Sequence, residues 1–333
     1  MTASGELDRD REWRDVAAGP PVPFDAELAA VLETIAEYVP RTITAEQIAT
    51  FRQRMAAAGS NDEQIVRDGA FTVETATAPG EPDVSLLVCR PSAVPEPAAA
   101  VYFMHGGGMV FGDARSGVRE PLDWAQELGL VVVCPEYRLA PEHPHPGPVD
   151  DCYAGLLWTA GRLAEFGVTS GRLLVAGTSA GGGLAAALAL MARDRGGPAL
   201  AGQLLLGPMI DDRNDSVSGR QMAGLGVWDR TSNATGWAAL LGAASGTDDV
   251  SPYAAPARAS DLSGLPPTFI DVGAAETFRD EDIAYADAIW QAGGSAELHV
   301  WPGAYHGFDQ IMPEAAVSRA ARAARVSWLR RLL

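Results

Sequence analysis

Hydrophobic positions along the chain predict a helical N-terminal segment followed by a region of alternating strands and helices. In residues 26–38 the apolar side chains recur at helical spacing, and in residues 44–55 a possible N-cap, Thr44, is followed three residues later by Gln47. No strand pattern occurs before about residue 65. We therefore expect residues 1–65 to form a helical segment that packs on the rest of the chain.

Eight short apolar runs beyond that segment predict the strands of one sheet. They are residues 70–77, 85–90, 99–104, 130–135, 172–176, 202–206, 268–272 and 296–301. Helical patterns separate the later runs, at residues 119–128, 149–166, 181–194, 279–291 and 314–332. Buried strands that alternate with helices are typical of a parallel sheet covered on both faces. The predicted fold class is therefore α/β.

Residues 208–260 interrupt this alternation. They contain no strand pattern, and residues 216–225 and 231–241 have helical spacing. Because a connection this long inside a compact domain is usually functional, we interpret it as a lid. The predicted organisation is a catalytic domain of residues 66–207 and 261–333, with residues 1–65 and 208–260 forming a helical cap.

Charge and composition narrow the classes of function. The chain of 333 residues has a formal net charge of −18, and all of its 25 basic residues are arginine. Such an acidic surface argues against partners that are nucleic acids or anionic membranes. No apolar run approaches the ~20 residues of a membrane span. The charged N-terminus lacks the apolar core of a signal peptide, so we expect a cytoplasmic protein. The three cysteines have no metal-like spacing, and no metal site is expected.

A Gly-x-Ser-x-Gly pattern, GTSAG at residues 177–181, lies between a predicted strand and an alanine-rich helix. In a nucleophile elbow the serine occupies a strained turn, and small flanking residues avoid collision with the neighbouring backbone. This context favours Ser179 as a nucleophile over a serine that only caps the helix. A phosphate-binding P-loop is excluded because the chain has no lysine.

A second glycine motif, HGGG at residues 105–108, follows the third predicted strand directly. Consecutive glycines allow backbone N–H groups to turn towards a ligand without obstruction by a Cβ atom. In α/β-hydrolases a loop of this kind lies opposite the elbow and forms half of the oxyanion hole. We therefore expect the N–H groups of Gly106, Gly107 and Ala180 to stabilise an oxyanion.

Three motifs together resemble the hormone-sensitive lipase family of α/β-hydrolases: HGGG at 105–108, YRLAPE at 137–142 and GTSAGG at 177–182. The resemblance extends from about residue 70 to residue 333, and Thr178 resembles the branch of the family that carries GTSAG. It implies an α/β-hydrolase fold, a mostly parallel eight-stranded sheet flanked by helices with a helical cap. Since bacterial members are short-chain carboxylesterases, it also implies a small-molecule ester substrate and no cofactor.

A serine nucleophile needs a general base, and His306 occupies the expected position. It lies after the last predicted strand and before the last helix, as the hydrolase order of serine, acid and histidine requires. His299 falls inside a strand, and His143 and His145 occupy a proline-rich loop without a third metal ligand. His105 belongs to the oxyanion loop, where we expect it to position the backbone.

The acid of the triad is expected after the seventh strand. Aligning the Arg-Asp-Glu sequence at 279–281 with the family places Glu276 where most members have aspartate, although Thr277 and Phe278 replace the usual proline and leucine. Asp280 and Asp282 remain competitors, but both are predicted to begin a helix, where carboxylates favour the positive end of the dipole. Asp271 is expected within the strand.

The leading interpretation is a carboxylesterase for small, short-chain esters that works through an acyl-enzyme. An amide or carbamate hydrolase, an acyltransferase and a non-catalytic ligand-binding protein are the alternatives. Candidate substrate-binding side chains are apolar residues near the motifs and in the predicted lid: Met109, Phe111, Met209, Trp228, Trp237 and Phe278. The apolar edge of the last helix is compatible with core packing or with a homodimer contact.

Overall fold

The computed structural model describes residues 17–333 except residues 37, 59–60 and 95. Helices flank a central sheet. They are α1 (Ala26–Ile35), α2 (Ile48–Ala58), α3 (Asp62–Val66), α4 (Arg119–Leu128), α5 (Gly147–Gly161), α6 (Ala180–Asp194), α7 (Val217–Gln221), α8 (Arg230–Leu241), α9 (Arg279–Gln291), α10 (Phe308–Ile311) and α11 (Ala316–Leu332). The short helices α3 and α10 were not predicted, because they have too few residues to show a hydrophobic period.

The sheet contains eight strands within the described ranges. They are β1 (Phe71–Ala78), β2 (Val84–Pro91), β3 (Ala99–Met104), β4 (Leu130–Pro135), β5 (Leu173–Thr178), β6 (Gly202–Leu206), β7 (Thr268–Gly273) and β8 (Ala296–Trp301). Their order is β1-β2-β4-β3-β5-β6-β7-β8, with β1, β2 and β4 joined by antiparallel pairs and the other pairs parallel. The predicted mostly parallel eight-stranded sheet of an α/β fold is confirmed.

The centre of the sheet is buried on both faces because helices cover each side. Every residue of β3, β4 and β6 is buried. In α6 every residue from Ala180 to Ala192 is buried, since small side chains let this helix approach β5 and β6 closely. Parallel strands end at one edge of the sheet, where β5, β7 and β8 lead into the loops that carry Ser179, Glu276 and His306.

The N-terminal segment is held above this edge by polar contacts with other loops. Arg52 of α2 donates to the carbonyls of Val110 and Ala140, both at 2.6 Å, and forms two 2.8 Å bonds with Glu142. The Ile43 N–H donates to Ser232 Oγ of α8 at 2.9 Å. The segment therefore contacts both the loop that follows β3 and helix α8, and its role as a cap stays a prediction.

The last helix packs into the core. Trp328 and Leu329 are buried, and the Trp328 ring lies 5.7 Å from that of Phe269. These two side chains are therefore core residues rather than an exposed contact surface, and the homodimer stays a prediction. Across the described ranges, none of the helices is long and apolar enough to cross a bilayer.

Candidate active site

Ser179 occupies a sharp turn between β5 and α6, with φ 57° and ψ −121°. A non-glycine residue with positive φ is strained, and such strain is common at active sites. The turn requires the neighbouring glycines. A Cβ on Gly177 would lie 2.2 Å from the Gly181 carbonyl oxygen, and one on Gly181 would lie 2.1 Å from that of Met104. The backbone thus presents the Ser179 hydroxyl at the edge of the sheet.

His306 links Ser179 to Glu276. Its Nε2 lies 2.9 Å from Ser179 Oγ, and its Nδ1 lies 2.8 Å from Glu276 Oε1. The other carboxylate oxygen of Glu276 accepts the Gly273 N–H at 2.7 Å, which fixes the carboxylate against β7. With Nδ1–H donating to Glu276, Nε2 is free to accept the serine proton. Phe278 packs edge-on against the imidazole at 5.0 Å.

The two competing carboxylates, Asp280 and Asp282, and the strand residue Asp271 are placed elsewhere. Asp280 accepts the Ser218 N–H at 2.7 Å and pairs with Arg279. Asp282 is fully buried within α9, where burial raises its pKa well above the ordinary value. Asp271 bonds to Arg325 at 2.8 Å. Among these four acids, Glu276 is the one whose carboxylate contacts His306.

The loop after β3 lies directly against the serine. A Cβ on Gly106 would be 3.3 Å from Ser179 Cβ. His105 anchors this loop, because its ring stacks on Tyr137 at 4.2 Å and its Nδ1 lies 2.7 Å from the Gly106 carbonyl oxygen. Burial lowers the pKa of His105 to about 4, so this imidazole is neutral at neutral pH. Ala180 begins α6, where the first N–H groups have no intrahelical acceptor.

An apolar cavity of about 250 Å³ opens beside the serine. Of the six predicted substrate-binding residues, Phe111 and Trp228 line it, while Met109, Met209, Trp237 and Phe278 are buried outside its lining. Side chains from the N-terminal segment and from the loops near the site complete the wall: Val39, Ile43, Phe51, Ser116, Val227, Gln310 and Ile311. No local sequence pattern marked these residues individually as part of the site.

The remaining predicted features lie away from the site. His299 of β8 stacks on Phe269 and Trp301, and its Nε2 lies 3.0 Å from Glu297. The three cysteines are buried free thiols. The described ranges contain no group of three or more histidine, cysteine, aspartate or glutamate residues arranged to hold a metal ion.

Comparisons with known proteins agree with this architecture. Residues 101–310 match the family described as alpha/beta hydrolase fold. Carboxylesterase NlhH of Mycobacterium tuberculosis is 33% identical over 315 residues, which cover 87% of this chain and 92% of the relative. Human hormone-sensitive lipase is 38% identical over 103 residues, 31% of this chain and 10% of the lipase.

Among solved structures, a bacterial heroin esterase superposes with a TM-score of 0.85 at 38% identity, covering 93% of this chain and 98% of that one. The family match spans more than half of the chain, and the carboxylesterase likeness extends over almost its full length. The chain therefore belongs to the hormone-sensitive lipase family of α/β-hydrolases and is a carboxylic ester hydrolase.

Proposed function

We propose that the chain is a serine carboxylesterase that hydrolyses small, short-chain acyl esters through an acyl-enzyme. The observation that carries this proposal is the continuous hydrogen-bond chain from Ser179 through His306 to Glu276, built on a strained turn. An activated serine needs a base within hydrogen-bond reach and a third group that orients the base. His306 lies within this reach of Ser179, and Glu276 lies within the same reach of His306; both hydrogen bonds are shorter than 3 Å.

In the first half-reaction Ser179 Oγ attacks the ester carbonyl carbon while its proton passes to His306 Nε2. The carbonyl oxygen takes up negative charge and is stabilised by the N–H groups of Gly106, Gly107 and Ala180. The Glu276 carboxylate stabilises the imidazolium that forms. When the bond between the carbonyl carbon and the alcohol oxygen breaks, the imidazolium gives its proton to the leaving alcohol, and the acyl group stays on the serine.

The second half-reaction repeats these steps with water. His306 Nε2 takes a proton as the water oxygen bonds to the acyl carbon, and the same N–H groups hold the second oxyanion. Collapse breaks the bond to Ser179 Oγ, which recovers its proton from the imidazolium. The carboxylic acid leaves, and the enzyme returns to its initial state without a redox change.

The size and chemistry of the cavity support small substrates. Its volume of about 250 Å³ lies below the roughly 300–1,000 Å³ typical of pockets for drug-sized ligands. Its wall is mainly apolar, with Ile43, Phe51 and Trp228 among the lining side chains. Such a wall favours short uncharged acyl and alcohol groups, because a charged group would lose its hydration without a partner.

The test is hydrolysis of a p-nitrophenyl ester series from acetate to palmitate by wild type and Ser179→Ala. We expect turnover to be highest for the short esters, and Ser179→Ala to lower kcat by about 10⁴–10⁶-fold. A circular dichroism spectrum equal to that of wild type controls for folding. If wild type cleaves no ester in the series, or if Ser179→Ala keeps near-normal activity, the proposal is wrong.

A further inference from the structure

A buried cluster of charges lies directly behind the proposed triad. Arg325 of α11 is 2% exposed and meets three carboxylates. Its Nε bonds to Asp271 at 2.8 Å, and its Nη1 bonds to Glu120 at 2.5 Å and to Asp309. We call these four residues the Arg325 cluster. One guanidinium therefore joins helices α4, α10 and α11 to strand β7.

Two of the three carboxylates lie beside the loops that carry the triad. Asp309 is three residues after His306, in the short helix α10. Asp271 is two residues before Gly273, whose N–H holds Glu276. Glu120, in contrast, lies in α4 on no segment that carries a triad residue. Arg325 thus reaches both the loop of the base and the strand that leads to the acid.

The Arg325 cluster and the proposed triad line the same small cavity. A cavity of about 20 Å³, about the size of one water molecule, is lined by Glu276 and His306 of the proposed triad and by Asp271, Asp309 and Arg325 of the cluster. A second arginine of α11, Arg322, donates to the Asp309 carbonyl at 3.0 Å. Two arginines of α11 therefore bind Asp309 of α10: Arg325 binds its carboxylate, and Arg322 binds its backbone carbonyl.

The cluster has three acid groups and one basic group, and a proton held by one carboxyl reduces the cost of burying them. One cation facing three buried carboxylates would leave uncompensated negative charge, and such charge is costly in a low-dielectric interior. Burial, with a smaller contribution from the neighbouring Asp309, raises the pKa of Glu120 to about 7 against the opposing effect of Arg325. Glu120 therefore holds a proton over much of the acidic range, while Arg325 binds Asp271 and Asp309.

We propose that Arg325 is a positioning residue for ester hydrolysis, which holds the His306 loop at hydrogen-bond distance from Glu276 by binding Asp309 and Asp271. This inference rests on the proposed roles of His306 and Glu276. The His306–Glu276 bond is 2.8 Å long and joins two separate loops, so a small movement of α10 would break it. A displacement of about 1 Å in a catalytic group can cost about 100-fold in rate.

Asp309→Asn and Glu120→Gln form a matched pair for the test. Both substitutions replace a carboxylate by its amide, and both carboxylates contact the same nitrogen, Nη1 of Arg325. We expect Asp309→Asn to lower kcat for p-nitrophenyl acetate by about 10–100-fold with KM within about twofold. Glu120→Gln is expected to keep kcat within about twofold of wild type.

A spectroscopic readout separates positioning from a general structural role. The proton on His306 Nδ1, held by Glu276, is expected to give a downfield proton NMR resonance in wild type and in Glu120→Gln. Asp309→Asn should shift or remove it, and Arg325→Lys, which keeps the charge, should retain more of it and more activity than Arg325→Met. Thermal melts of all variants report whether each is folded.

The proposal is overturned if folded Asp309→Asn keeps the kcat and the resonance of wild type. It is equally overturned if Asp309→Asn and Glu120→Gln reduce kcat alike, since the cluster would then act on the fold as a whole. The comparison does not need Arg325→Met to fold. Because the resonance is measured without substrate, it also distinguishes failure of this inference from failure of the proposed esterase function.

Discussion

At the scale of single residues, the site depends on a few atoms that lie within 3 Å of each other. Glu276 uses one oxygen for His306 and the other for the Gly273 N–H, so both oxygens of this carboxylate have partners. Its side chain is 3% exposed. A glutamate is one methylene longer than the aspartate usual in the family. The backbone at Glu276 nevertheless places its carboxylate at hydrogen-bond distance from the imidazole.

The assignment of Glu276 as the triad acid leads to a direct prediction. Glu276→Gln replaces an acceptor by an amide that favours the wrong imidazole tautomer, so we expect kcat to fall by about 10³–10⁴-fold. Asp280→Asn is the matched control, because Asp280 bonds to Ser218 and Arg279 instead of His306. Steady-state kinetics on p-nitrophenyl acetate measure both. Near-normal activity of Glu276→Gln together with a large loss in Asp280→Asn would transfer the role to Asp280.

Gly108, in the loop that follows β3, lies against the wall of the cavity. It has φ 59°, and a Cβ there would lie 2.2 Å from Trp228 Cη2. Gly117 also lines the cavity and has a positive φ of 72°. A Cβ added there, however, would have its nearest neighbour, Phe103, 3.9 Å away. We expect Gly108→Ala to displace Trp228 and lower kcat/KM by about tenfold or more, and Gly117→Ala to cost only about 1–2 kcal/mol of backbone strain in stability.

The two alanine variants are compared by kcat/KM and by chemical denaturation. Equal losses of kcat/KM in Gly108→Ala and Gly117→Ala would mean that backbone strain, rather than the contact with Trp228, decides the effect.

At the scale of elements, Arg52 supplies polar contacts that attach helix α2 to the body of the enzyme. The guanidinium binds two carbonyls and the Glu142 carboxylate, and its hydrogen bonds to this carboxylate are the largest cause that lowers the pKa of Glu142 to about 2. The same helix carries Phe51, which lines the cavity and lies 5.3 Å from Phe111. The position of α2 therefore sets one wall of the binding site without touching the triad.

This attachment predicts a KM effect. Arg52→Met should loosen α2 and raise KM for short esters by about three- to tenfold, with kcat within about twofold, since the lost bonds contribute to binding and not to the chemical step. Arg54→Met is the control, because Arg54 is an exposed residue of the same helix. A fall in kcat at unchanged KM would contradict this division of roles.

At the scale of the whole molecule, the Arg325 cluster makes stability depend on pH. The pKa of Glu120 is higher in the folded chain, about 7, than its ordinary value of 4.5, so the folded state binds this proton more tightly. The resulting stabilisation is complete below about pH 4 and is lost as the pH rises through about 7. Arg325, Asp309 and Arg322 are the charged groups that act on Glu120.

Glu120→Gln is expected to remove this pH dependence. Relative to the variant, wild type should lose on the order of 1–3 kcal/mol of unfolding free energy between about pH 5 and pH 8. Urea denaturation of both proteins across this range measures the difference, and titrating groups remote from the Arg325 cluster cancel in the comparison. A difference that stays constant with pH would show that Glu120 does not titrate in this window.

Much of this molecule was determined by local sequence. The strands at 99–104, 130–135, 202–206 and 296–301 have the predicted bounds, because a buried strand is a short apolar run between turn residues. The GTSAG turn and the HGGG loop could be located because their geometry depends on glycines next to one another in the chain. The position of His306 followed from the order of elements.

Only the tertiary structure decided which groups meet. Glu276, Asp280 and Asp282 lie within seven residues of each other, and the pattern of the sequence could not rank their distances to a histidine beyond β8. Long-range packing also brings Ile43 and Phe51 to the wall of the cavity. It likewise brings Arg325 into contact with Glu120, which is 205 positions away in the sequence. Local patterns report backbone conformation and burial, whereas the distance between side chains far apart in sequence is set by the folded chain as a whole.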